Sequence, residues 1–60
     1  SPIDYLMDMR MFRAKTLLLE GVSVTETAEL VGFSDVHYFS RYFKKYEGVC
    51  PSQYYSKNSI

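Results

Sequence analysis

Three glycines, Gly21, Gly32 and Gly48, cut a chain of 60 residues into four stretches, of which each of the first three ends at one of them. Each stands just past a run of helically spaced apolar residues, where a helix most often ends in left-handed backbone. The first stretch opens with Ser1 and Pro2 as N-cap and first helical residue, and Asp4 suits the positive end of the helix dipole. A helix is expected from residue 2 to about Glu20. At about 100° per residue, Ile3, Leu6, Met7, Met11, Ala14, Leu17 and Leu18 share one broad face, the expected core stripe. Arg10 falls inside that face, and a partly buried salt bridge to an acid of the next helix is its expected role. Tyr5, Met9, Phe12 and Leu19 crowd the opposite side and have no obvious partner within the chain.

"SVTE", Ser23 to Glu26, is a capping box opening a short second helix that reaches about Val31. Val24, Ala28 and Val31 form its inner edge. Thr27 lies beside them, where its hydroxyl can bond a carbonyl one turn back, which makes it tolerable there though it packs less than an aliphatic side chain. After Gly32, Ser34 is the expected cap of a third helix near residues 35–47. Phe39, Phe43 and Tyr46 cover its core side, Tyr42 stands at the border, and Phe33 precedes it. The other side holds His37, Ser40, Arg41 and Lys44, with Val36 at one edge and Lys45 at the other. Pro51 starts a short last helix, residues 51–55, weakly capped by Cys50, and the tail from Ser56 is expected to be loose.

A chain this short makes at most one domain, with one small core and marginal stability. That core is expected around Leu6, Met11, Ala14, Leu18, Ala28, Val31, Phe33, Phe39 and Phe43. Opening at a serine that leads straight into a helix signal is what a piece of a longer protein would show. Apolar residues at 47% and charged ones at 23% set it apart from disordered compositions. No apolar run approaches a membrane span, and no signal peptide is evident. A lone cysteine in so small a chain favours a reducing compartment, so cytoplasm is the expectation.

Net charge is zero, which on its face speaks against nucleic acid. The charges are nevertheless unevenly placed: residues 1–32 sum to minus two and residues 33–60 to plus two. Two helices joined by a glycine-bearing turn of about three residues form a helix-turn-helix pattern. His37, Arg41 and Lys44 stand at i, i+4 and i+7, so the second of those helices carries a row of donors along its axis. Such a row suits the major groove of DNA, where base edges offer hydrogen-bonding groups and flanking phosphates offer negative charge. One histidine and one cysteine, without clustered carboxylates or metal-ligand spacing, point away from catalysis and from a metal or other cofactor. The rival reading is a helical protein-interaction or dimerisation module whose basic face is incidental.

The run "SVTETAELVGFSDVHYFSRYFKKYEGVCPSQYY" resembles the second helix-turn-helix of the AraC-type bacterial transcription regulators. The resemblance rests on Ser23, Glu26, Ala28, the Val31-Gly32-Phe33 triplet, Asp35, the run Tyr38 to Arg41, Phe43 to Lys45, Gly48, Pro51, Ser52 and Tyr54. Upstream, Tyr5, Leu6, Arg10, Ala14, Leu17 and Leu18 fit as well. It implies an all-α, homeodomain-like domain of three to four helices with no enzymatic activity. Residues 1–20 would be the linker helix of a partial domain spanning 1–60, residues 23–48 the helix-turn-helix, and about 35–47 the recognition helix. Double-stranded DNA is the implied partner. Val36, His37, Ser40 and Arg41 match the base-reading positions, and Tyr38, Lys44 and Lys45 would hold phosphates. Arg41 could instead bridge to Glu47 on the surface, and His37 could be idle. A missing first helix-turn-helix, or another copy, would cover Tyr5, Met9, Phe12 and Leu19. The chain departs from the family pattern at Thr27, where isoleucine is usual, at Cys50 in place of a serine or threonine cap, and at Tyr55 in place of a frequent arginine.

Overall fold

A computed structural model describes the backbone of residues 2–58 and the side chains of residues 4–54. Four helices follow one another: α1 Pro2–Leu19, α2 Val24–Leu30, α3 Val36–Glu47 and α4 Pro51–Asn58. Among the described residues there is no strand. Helix α4 continues past the expected end at residue 55, so Ser56, Lys57 and Asn58 are helical rather than loose. Its start is as expected for proline at a first helical position: Pro51 is buried, and the Cys50 carbonyl accepts from the N–H groups of Gln53 and Tyr54. The expectations placed on the side chains of Ser1, Ile3 and Tyr55 lie outside the described residues.

The helix ends are built by backbone hydrogen bonding. At the end of α1, Gly21 N–H donates to Leu18 and Val22 N–H to Leu17, the paired closure of a Schellman motif. The same closure recurs after α2, where Gly32 N–H donates to Glu29 and Phe33 N–H to Ala28. Gly32 is left-handed at φ +98°, and a Cβ there would sit 3.3 Å from the Arg10 guanidinium carbon. Glycine is thus favoured at this turn by its backbone angle, and a side chain there would also press on the Arg10 guanidinium. The turn points Phe33 inward, directly beneath α3.

The core comprises Met11, Ala14 and Leu18 of α1, Ala28 and Val31 of α2, Phe33 of the turn, and Phe39 and Phe43 of α3. Phe33 is its hub, with ring centroids 5.2 Å from Phe39 and 5.6 Å from Tyr38. Tyr54 of α4 closes the far end, edge-on to Phe43 at 5.5 Å.

Four expectations about the core and its edges are corrected. Leu6 is 50% exposed, because the buried line of α1 runs through Met7, Met11, Ala14 and Leu18, and Leu6 lies about 100° off it. Tyr46 is 44% exposed and its hydroxyl donates to Asp8 Oδ1, so the core side of α3 ends at Phe43. Arg10 makes no ion pair among the described residues. Its guanidinium lies over the Phe33 ring, 5.9 Å from the centroid, while Glu26 and Glu29 turn to the outer side of α2. Thr27 is fully buried and its hydroxyl has no hydrogen-bond partner. The Ser23 carbonyl one turn back accepts the Thr27 N–H at 2.8 Å but not the hydroxyl, whereas in α1 the Thr16 hydroxyl does donate to the Phe12 carbonyl, at 3.2 Å.

Candidate nucleic-acid interface

The face in question belongs to α3. Its N-terminus is fixed by Asp35 rather than by Ser34: the Asp35 backbone is extended, and its carboxylate accepts the His37 N–H at 2.8 Å. A carboxylate satisfies a first-turn N–H as well as a hydroxyl does and adds charge at the positive end of the dipole. The helix closes at Gly48, whose N–H donates to the Lys44 carbonyl, and Lys44 and Lys45 occupy the last turn, where the dipole favours cations.

Phe39 and Phe43 are fully buried on one side of α3. On the opposite side His37, Arg41, Lys44 and Lys45 are exposed, and Val36 and Ser40 are half-buried at the margin toward the core. The two halves of the helix therefore differ sharply. One side is aromatic and dry, and the other presents hydrogen-bond donors to solvent. Arg41 has no carboxylate partner among the described residues; Glu47, six residues on and about 120° round the helix, pairs instead with Lys15 of α1, 3.3 Å away. Tyr38 is exposed beside this row, on the flank that faces α1.

That flank holds what periodicity alone missed. Tyr38, Tyr42 and Tyr46 stand at i, i+4 and i+8, a quarter turn from the core line, and with Arg41 and Lys45 they line an open groove of about 810 Å³. Tyr42 and Tyr46 stack with centroids 6.3 Å apart and 19° between planes. The hydrogen bond to Asp8 and the neighbouring acid push the Tyr46 hydroxyl up to about 12, so it stays a neutral donor across the biological range. The signal was present in the sequence as a row of tyrosines, each with a hydroxyl able to stay wet, where the buried row is phenylalanine.

A family described as a helix-turn-helix domain matches residues 1–57. The chain belongs to the AraC-type helix-turn-helix family. Among its relatives, the DNA-binding dual transcriptional regulator Rns of Escherichia coli is 38% identical over 52 residues, which are 85% of this chain and 20% of Rns. The transcriptional activator RhrA of Rhizobium meliloti is 41% identical over 51 residues, 80% of this chain and 16% of RhrA. The transcriptional regulatory protein HptR of Staphylococcus aureus is 40% identical over 52 residues, 87% of this chain and 21% of HptR. This AraC-type unit spans about a fifth of the length of such relatives. No solved structure matches it. In AraC-type units the helix-turn-helix serves DNA binding in transcription regulation, and here α2, the Gly32 turn and α3 supply it.

Among the described residues of this AraC-type unit, no group of histidine, cysteine and carboxylate side chains could hold a metal ion. No described helix is long and apolar enough to cross a membrane.

Proposed function

We propose that the chain binds double-stranded DNA sequence-specifically as part of a bacterial transcription regulator, with α3 lying in the major groove. The observation that carries this reading is the exposed row His37, Arg41 and Lys44 on the side of α3 away from Phe39 and Phe43, within a chain of this family. Arg41, free of a carboxylate partner among the described residues, would pair its two donors with a guanine edge. His37 and Ser40 would offer hydrogen bonds on either side of it, and Val36 an apolar contact to a thymine methyl. Tyr38, Lys44 and Lys45 would hold phosphates, fixing register without reading sequence. The work is done by binding and not by catalysis, and a DNA partner implies the bacterial cytoplasm.

The exposed face of α1, with Phe12 66% and Tyr5 68% accessible, supports a further element of the reading. Tyr5, Met9, Phe12 and Leu19 would be covered by a first helix-turn-helix unit or by another copy, since a patch of this kind marks an interaction site.

Anisotropy titrations on cognate and scrambled duplexes at several salt concentrations test the DNA reading. Placed in its full regulator, Arg41→Ala is expected to cost about 1–3 kcal/mol and relax preference at one or two base pairs. Lys44→Ala should weaken all sequences alike and lower the salt slope by about one. Equal losses on both duplexes would remove Arg41 from the reading role. No loss in either variant would favour a protein-interaction module instead.

A further inference from the structure

Beside α3 and away from its reading row lies a recess of about 440 Å³ between α1 and the α2–α3 turn. Its walls are Met7, Phe33, Ser34, Tyr38 and Tyr42, and at its head stands Arg10. The guanidinium lies beside Gly32, where a Cβ would come within 3.3 Å of its carbon, and over the Phe33 ring. It is half-buried and has no carboxylate partner among the described residues, although Asp8, Glu26 and Glu29 are on neighbouring turns. A cation ordered in this way and left without its counter-charge is a receptor for an anion. A planar guanidinium accepts a carboxylate through two parallel hydrogen bonds.

The lining of the site favours one kind of anion. The apolar and aromatic walls, Met7, Phe33, Tyr38 and Tyr42, gain only from an occupant with apolar surface to bury, which a phosphodiester lacks and a peptide carries beside its carboxylates. We propose that this recess docks an acidic segment of a protein partner, its carboxylate on Arg10 and a neighbouring apolar side chain against Phe33, Tyr38 and Tyr42. The site lies apart from the His37, Arg41 and Lys44 row, although it shares Tyr38 with the proposed phosphate contacts.

The probe is a fluorescein-labelled dodecamer peptide of alternating Glu or Asp and Leu or Phe, compared with its Gln and Asn counterpart. Saturable anisotropy binding to the 60-residue chain is expected for the acidic peptide, with amide shifts in NMR spectra concentrated at Gly32, Phe33 and Ser34. The amide peptide and the variant Arg10→Gln should each bind at least about tenfold more weakly, as expected on losing one partner of a charge-assisted pair. Ser34→Glu leaves Arg10 in place but sets a negative charge at the rim, and should weaken the acidic peptide by a similar factor; it decides the matter if Arg10→Gln proves unfolded by circular dichroism. Duplex DNA affinity should be unchanged by Arg10→Gln. Equal binding of both peptides, or binding undiminished in both variants, would overturn the proposal. So would loss of DNA affinity and of one unit of salt slope in a folded Arg10→Gln, which would make the guanidinium a phosphate contact.

Discussion

Replacing Thr27 by valine should stabilise this domain, and the structure sets the size of the effect. Thr27 is fully buried and its hydroxyl has no hydrogen-bond partner. Burying a hydroxyl without compensation costs about 1–3 kcal/mol in proteins. Valine has the same shape, puts a methyl where the hydroxyl stood, and differs little from threonine in helix propensity, so no opposing cost of comparable size arises. A gain of about 1–2 kcal/mol is therefore expected. In a domain this small, whose whole stability is about 3–9 kcal/mol, that shifts the melting midpoint upward by about 4–16 °C. Thermal and urea unfolding followed by circular dichroism measure it. Thr27→Ser separates the two groups on Cβ: it keeps the unpaired hydroxyl and loses the buried methyl, so it should destabilise by about 1 kcal/mol. A midpoint for Thr27→Val at or below that of the parent would refute the reasoning, because it would mean that the hydroxyl has a partner such as the Ser23 carbonyl.

Asp35→Ala removes the acceptor of the His37 N–H and should cost about 1 kcal/mol, with Asp35→Ser restoring most of it. Because the first turn of α3 carries Val36 and His37, the alanine variant should also weaken binding to all duplexes, measured by the same anisotropy titration. Tyr46 should titrate near 12 in an ultraviolet difference titration, and Asp8→Ala should bring it back toward 10.0. Since folding raises this acid's pKa above its unfolded value, the fold favours the neutral phenol. Its contribution is complete below pH 10 and is lost as the pH rises from 10 toward 12, so alkaline unfolding of Asp8→Ala should show a weaker dependence on pH in that window.

The helices of this chain are local events, and the sequence alone determined them. Gly21, Gly32 and Gly48 all adopt positive φ at helix ends, Ser23 accepts the Glu26 N–H, and the buried rows Met11, Ala14, Leu18 and Phe39, Phe43 follow helical periods. Neighbours a few residues apart settle such features, and a single chain displays them. Family membership was legible for the same reason, since its motif is made of caps, turn glycines and core aromatics in fixed order. The row His37, Arg41 and Lys44 could be drawn on a helical wheel. Its accessibility could not, because it depends on which of two aromatic rows α3 turns inward. Packing made that choice. Phe39 packs on Phe33 and Phe43 on Phe39 and Tyr54, and the tyrosine row, with hydroxyls that would lose water on burial, stays at the flank where Tyr46 meets Asp8. Arg10 and Thr27 were decided in the same way. Both lie on inner faces, where a local rule supplies each with a partner, yet the acids of α2 point outward and the Thr27 hydroxyl does not make the bond to the carbonyl one turn back that Thr16 makes to Phe12. The recess at Arg10 exists only because α1 crosses the α2–α3 turn, bringing residues 7, 10, 33, 38 and 42 to one place; a contact between helices is a property of their crossing, and no stretch of the sequence contains it.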